Sequence, residues 1–133
     1  MIVADANLLA YLVLPGQWTG AAEAVLRHDS VWVVPSLWLC EVRSVVNQYV
    51  RRGDMTLARA VTALERAEQV IAGREGLVDS RIVLELARRS KCSTYDCEYV
   101  ALAIGLGVPL VTSDVALLRA FPRVAVNPAD FLS

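Results

Sequence analysis

Short apolar runs alternate with longer stretches of helical period along this chain, and no other feature of the sequence constrains the fold as much. Residues 1–4, 31–34 and 110–112 are apolar runs too short for a stable helix, and 123–126 is a fainter fourth. Between them lie segments with helix start and stop signals. A helix begins at Asp5-Ala-Asn-Leu-Leu and is broken by Pro15-Gly16, and Thr19 caps another to about residue 27. Ser36 caps a long helix to about residue 52, stopped by Gly53. A second long helix spans 56–72, with Leu57, Ala60, Val61, Leu64 and Ala67 at helical spacing, and Gly73 and Gly76 mark a loop. Asp79-Ser80 caps a helix to about residue 90, and Ser93 or Thr94 caps one over 95–106. Residues 114–120 and 128–132 are short helical pieces. Strands and helices in this order predict an α/β domain spanning 1–133, three layers deep, around a short and mainly parallel sheet of about four or five strands.

Composition narrows the class. Hydrophobic residues make up 56% of the 133, which points to a mostly buried sheet or to an apolar surface used for association, as in a dimer. The helix over 56–72 and its neighbour offer more apolar surface than a small sheet needs, which fits a homodimer. Net charge is −1, so there is no basic field of the kind a non-specific nucleic-acid binder carries. Of the 13 basic residues only Lys91 is not arginine, a bias that suits bidentate phosphate contacts but also follows from genome composition or thermal adaptation. Cys40, Cys92 and Cys97 lack Cys-x-x-Cys spacing and have only His28 to assist them, which argues for buried free thiols rather than zinc. Asp5 interrupts the N-terminal apolar run, an unsuitable pattern for a signal peptide. The uncharged stretch 99–113 is broken by Gly105, Gly107 and Pro109, too interrupted to span a membrane. The expectation is a soluble cytoplasmic protein.

Two acids stand at equivalent places. Ile-Val-Ala-Asp5-Ala-Asn-Leu-Leu and Leu-Val-Thr-Ser-Asp114-Val-Ala-Leu-Leu both read as strand, aspartate, then helix with paired leucines. In an open parallel sheet, ligands bind outside the carboxyl ends of the strands, so Asp5 and Asp114 are expected on one edge. Taken singly, each is accounted for by capping the helix it begins. Asp96, in the first turn of its helix, is likewise favoured there by the macrodipole.

Glu41 has no such explanation. It falls within Leu-Trp-Leu-Cys-Glu-Val-Arg-Ser-Val-Val, in what reads as the middle of a helix, on the face of Leu37, Trp38 and Val45. No Lys or Arg lies three or four residues away, and Arg43 is about 200° round the helix. A buried unpaired carboxylate costs several kcal/mol or protonates. A cation from outside the chain resolves the conflict, and oxygen ligands without His or Cys select Mg²⁺ or Mn²⁺. Glycine-rich phosphate loops are absent, and a triad mechanism would depend on His28, which reads as a helix C-terminal residue.

Four segments together resemble the PIN-domain ribonucleases, most closely the small toxins of the VapC type. They are Ile-Val-Ala-Asp5-Ala-Asn7-Leu-Leu, Pro35-Ser-Leu-Trp-Leu-Cys-Glu41-Val, Thr94-Tyr-Asp96-Cys-Glu-Tyr-Val-Ala-Leu-Ala and Leu-Val-Thr112-Ser-Asp114-Val-Ala-Leu-Leu. The resemblance implies a PIN fold in which Asp5, Glu41, Asp96 and Asp114 gather at one end of the sheet and bind Mg²⁺ or Mn²⁺, with Asp114 the least consistent ligand. It implies that Asn7 and Thr112 support the acids from behind, and that the activity is metal-assisted hydrolysis of RNA phosphodiesters. Arg43, Arg51, Arg52 and Arg119 are candidates for contacts to the RNA backbone, Arg43 and Arg119 foremost, beside the plainer reading of each as a solvated surface residue. It also implies a cognate VapB-like antitoxin. Two alternatives stand beside this reading: a PIN ribonuclease of RNA maturation or turnover without an antitoxin, and a catalytically silent PIN-like module that binds RNA or protein.

Overall fold

A computed structural model describes all 133 residues. The elements run β1 (Ile2–Ala4), α1 (Ala6–Val13), α2 (Thr19–His28), β2 (Trp32–Pro35), α3 (Trp38–Arg51), α4 (Leu57–Ile71), β3 (Glu75–Gly76), α5 (Ser80–Arg88), α6 (Thr94–Leu106), β4 (Leu110–Val111), α7 (Val115–Ala120), β5 (Ala125–Val126) and α8 (Pro128–Leu132). The five strands form one sheet in the order β3-β2-β1-β4-β5, and every pairing is parallel. The chain builds outward from β1 to β2 and β3, then returns past its start to add β4 and β5. Right-handed crossovers in opposite directions place their helices on opposite faces of a sheet. Accordingly α1, α2, α3 and α4 pack among themselves, while α5 and α6 pair with each other and α6 lies along β1, β2 and β4. This is the three-layer α/β/α arrangement expected from the sequence.

The core is the sheet itself. Ile2, Val3, Trp32, Val34, Leu110 and Val111 are at most barely exposed, because strands covered on both faces have no solvent side. From α1, Leu8, Leu9 and Leu12 enter the core. α4 departs from the apolar spacing of the sequence: its buried face is Ala60, Ala63, Ala67 and Ile71, while Leu57 and Val61 are exposed. Two adjacent stripes on this helix satisfy a helical period. The alanine stripe faces inward where α4 meets α1, and Arg66 donates from Nη1 to the Leu12 carbonyl at 3.3 Å.

β3 is the element absent from the sequence reading, which left residues 73–76 as a loop. It is two residues long, pairs Glu75 with Val34 and Gly76 with Pro35, and has no apolar run to announce it. Gly76 is closely packed: a Cβ there would stand 2.3 Å from Leu102 Cδ1 on α6, so that side chain would have to shift. The thiols also differ from expectation, since only Cys97 is buried, Cys92 is half-buried and Cys40 is exposed. Cys40 lies on the outer side of α3, opposite the Trp38–Val42–Val46 stripe that enters the core. No helix is long and apolar enough to cross a membrane.

Candidate active site

β1 and β4 are neighbours in the sheet, yet the chain leaves them in opposite directions, β1 toward β2 and β4 toward β5. Their carboxyl ends therefore flank the topological switch point, where open α/β sheets bind ligands. Asp5 follows β1 and Asp114 lies three residues beyond β4.

The two aspartates are used differently. Asp114 does cap α7, its Oδ1 accepting from the Leu117 N–H at 3.1 Å. Asp5 occupies the cap position of α1 but makes no side-chain cap bond. Its Oδ2 accepts instead from Thr112 Oγ1 at 2.7 Å. Thr112 is fully buried, and its hydroxyl oxygen also accepts from the Asp114 N–H at 3.0 Å. One hydroxyl thus ties the ends of the two central strands together. Asn7, expected beside Thr112 in this supporting role, is exposed and makes no hydrogen bond to an acid.

Glu41 is not mid-helix. α3 begins at Trp38 after a turn through Ser36 and Leu37, and no side chain caps it, so Glu41 falls in the first turn. The helix dipole therefore favours its charge. The core stripe of α3 is Trp38, Val42 and Val46, leaving Glu41 half-buried beside it. Its partner comes from α6: the wholly buried Tyr99 donates its hydroxyl to Glu41 Oε1 at 2.6 Å. Asp96 sits in the first turn of α6, where the Ser93 hydroxyl accepts from its N–H at 3.1 Å.

The electrostatics link these groups. Burial pushes the Asp5 pKa up to about 6 from 3.8; the Thr112 hydrogen bond opposes the rise, and the charges of Glu41 and Asp96 add to it. Glu41 is raised by burial, with the Tyr99 bond opposing and Asp96 and Glu98 adding repulsion. Asp96 is raised by burial and by the charge of Asp114. Tyr99 is pushed far upward, first by burial, then by its bond to Glu41. Asp5, Glu41 and Asp96 are thus linked through their fields, and Asp114 joins them through Asp96 alone. Glu98 is half-buried, and its charge also acts on Glu41.

None of the four acids takes part in a salt bridge; the ion pairs lie elsewhere, at Met1–Asp29, Arg52–Asp54 and Arg81–Glu85. Arg43, Arg51, Arg52 and Arg119 are exposed, and Arg52 stacks on Tyr49. No three acidic, histidine or cysteine side chains stand close enough together to clasp an ion as placed. The chemistry of the donor set nevertheless fits a hard divalent cation: all-oxygen ligands, mutual repulsion and no basic partner. Closing around such an ion requires side-chain rotation at the half-exposed Glu41 and Asp96.

The family model that matches this fold and edge is that of the PIN domain, over residues 2–125. The chain belongs to the PIN-domain family. Within it, Ribonuclease VapC3 of Mycobacterium tuberculosis is 36% identical over 121 residues, covering 91% of this chain and 88% of that protein. Ribonuclease VapC3 of Pyrobaculum aerophilum is 30% identical over 129 residues, covering 92% and 96%. These relatives place the chain among the VapC-type PIN domains. Among solved structures, PAE2754 from Pyrobaculum aerophilum superposes with a TM-score of 0.78 at 21% identity, covering 98% of this chain and 92% of its own. FitAcB from Neisseria gonorrhoeae gives 0.74 at 18% identity, covering 97% and 99%. At such identities the structures speak for the PIN fold alone.

Tyr99 is the residue that sequence reasoning missed. In the sequence it is one unremarked position of the segment that begins at Thr94, and nothing local links it to Glu41, 58 residues earlier.

Proposed function

We propose that this VapC-type PIN domain is an Mg²⁺- or Mn²⁺-dependent endoribonuclease, the toxin of a toxin–antitoxin pair. The observation that carries the reading is Asp5: a nearly buried carboxylate at the switch point, braced by a neutral hydroxyl, surrounded by further acids and given no basic partner. Such an arrangement is costly in the free chain and is resolved by a cation. The relatives' name, ribonuclease, supplies the substrate class.

In this reading Asp5, Glu41 and Asp96 hold the ion, and Asp114, pinned by its cap bond, orients water or a second ion. Thr112 keeps one oxygen of Asp5 fixed, leaving the other free to bind. A bound divalent ion would supply the chemistry of lowering a water's pKa, so that it attacks phosphorus as hydroxide, and of offsetting charge on the leaving oxygen. It also offsets the acids' repulsion of RNA. Exposed Arg43 and Arg119 contact phosphates on either side. The partners are an antitoxin that covers the acidic edge and a second copy of the chain, and the compartment is the cytoplasm.

The test is direct. Purified chain cuts structured RNA with Mg²⁺ or Mn²⁺, and Asp5→Asn or Asp96→Asn abolishes cutting. Cleavage that survives both EDTA and these substitutions refutes the assignment. Mapping RNA 5′ ends after induced expression, against an Asp5→Asn control, identifies the target.

A further inference from the structure

Tyr99 lies one turn after Asp96, and it is the only buried residue of α6 that carries a side-chain oxygen. A buried phenol must find an acceptor. Here the acceptor is the Glu41 carboxylate on a different helix, at 2.6 Å. We infer that Tyr99 is a positioning residue for the cation site: its hydroxyl holds Oε1 of Glu41 and thereby presents Oε2 at the carboxyl edge of the sheet. The inference rests on the reading of Glu41 as a ligand and adds how that ligand is aimed.

Three observations support it. First, the donor is neutral. An arginine in this place would pin the carboxylate equally well but would cancel the charge that attracts a cation; a phenol restrains it and leaves the charge. Second, the same solution occurs on the other side of the edge, where the Thr112 hydroxyl grips one oxygen of Asp5 at 2.7 Å. Two buried hydroxyls, on α6 and just after β4, each take one oxygen of one acid. Third, Glu41 needs the restraint more than the aspartates do. It is half-exposed, has three side-chain torsions, and would otherwise lose that freedom only on binding. Partners behind a ligand commonly set metal affinity by 10–100-fold (an order-of-magnitude range).

The experiment is Mn²⁺ titration of the purified chain, read by the electron paramagnetic resonance of free Mn²⁺, for wild type, Tyr99→Phe, Glu41→Gln and the double variant. Phenylalanine fills the same space, so the far-UV spectrum and a cooperative melt are retained. Expected is a loss in Mn²⁺ affinity of about tenfold or more for Tyr99→Phe, with no additional loss when the same change is made on Glu41→Gln. In RNA cleavage the defect appears as a raised Mn²⁺ requirement with unchanged KM for RNA. Wild type that binds Mn²⁺ beside an equally tight Tyr99→Phe overturns the inference alone. An equal loss in the Glu41→Gln background, or a Tyr99→Phe chain that does not fold, assigns Tyr99 to the core instead. Wild type that binds no Mn²⁺ overturns both this inference and the metal reading beneath it.

Discussion

Removing the charge of Asp5 stabilises the metal-free protein at neutral pH, by an amount the structure sets. Asp5 is 6% exposed, and its pKa stands at about 6 in the fold against 3.8 unperturbed. A raised carboxyl pKa means that the native state holds its proton longer than the unfolded chain does. Its contribution to stability is therefore complete below about pH 4 and is lost as pH rises toward about 6. A shift of roughly two units at about 1.4 kcal/mol each corresponds to about 3 kcal/mol at pH 7. For a chain of this size that is about 10 °C in melting temperature. The assay is thermal and urea unfolding in EDTA, from pH 4 to pH 8, for wild type and Asp5→Asn. The asparagine oxygen still accepts from Thr112, so packing is preserved. Expected are curves that coincide near pH 4 and diverge to about 10 °C at pH 7, the variant higher. Saturating Mn²⁺ closes the gap by raising wild type alone. Parallel curves, or a variant that melts below wild type at pH 7, would refute the claim that burial of an unneutralised charge dominates this site.

Thr112→Val keeps the buried volume but strips the hydroxyl from both Asp5 and the Asp114 N–H. It is expected to cost about 2–3 kcal/mol in urea unfolding at pH 7, and less at pH 4.5, where Asp5 is protonated. Gly76→Ala drives a methyl into Leu102 and should cost about 1–3 kcal/mol by overpacking; an unchanged urea midpoint would show that α6 yields there. If Arg43 and Arg119 contact the RNA backbone, replacing each with alanine in an Asp5→Asn background weakens RNA binding evenly across sequences. The slope of log affinity against log salt then falls by about one per residue, as measured by filter binding.

How much was legible from sequence depended on whether the signal was local. The strand–aspartate–helix segments around Asp5 and Asp114 announced themselves, because a short apolar run, a turn and a periodic segment are each encoded within a few residues. β3 did not, since two residues held in place by Val34 on one side and Leu102 on the other have no pattern of their own. The start of α3 was misjudged for a related reason: Ser36 resembles a cap, but the backbone turns through Leu37 before the helix begins, which brings Glu41 into the first turn. The inward face of α4 was likewise open until α1 was set against it.

The sequence alone determined the alternation that makes an α/β sheet, the acids that follow its strands and helix starts, and the lack of any basic residue three or four positions from Glu41. Tertiary structure decided which acid is a cap and which is spare. Asp114 bonds its own helix, while Asp5 turns to a threonine 107 residues away. It also supplied Tyr99 to Glu41. Hydrogen bonds between distant residues depend on strand order and crossover direction, and those are properties of the packed sheet that no window of sequence contains.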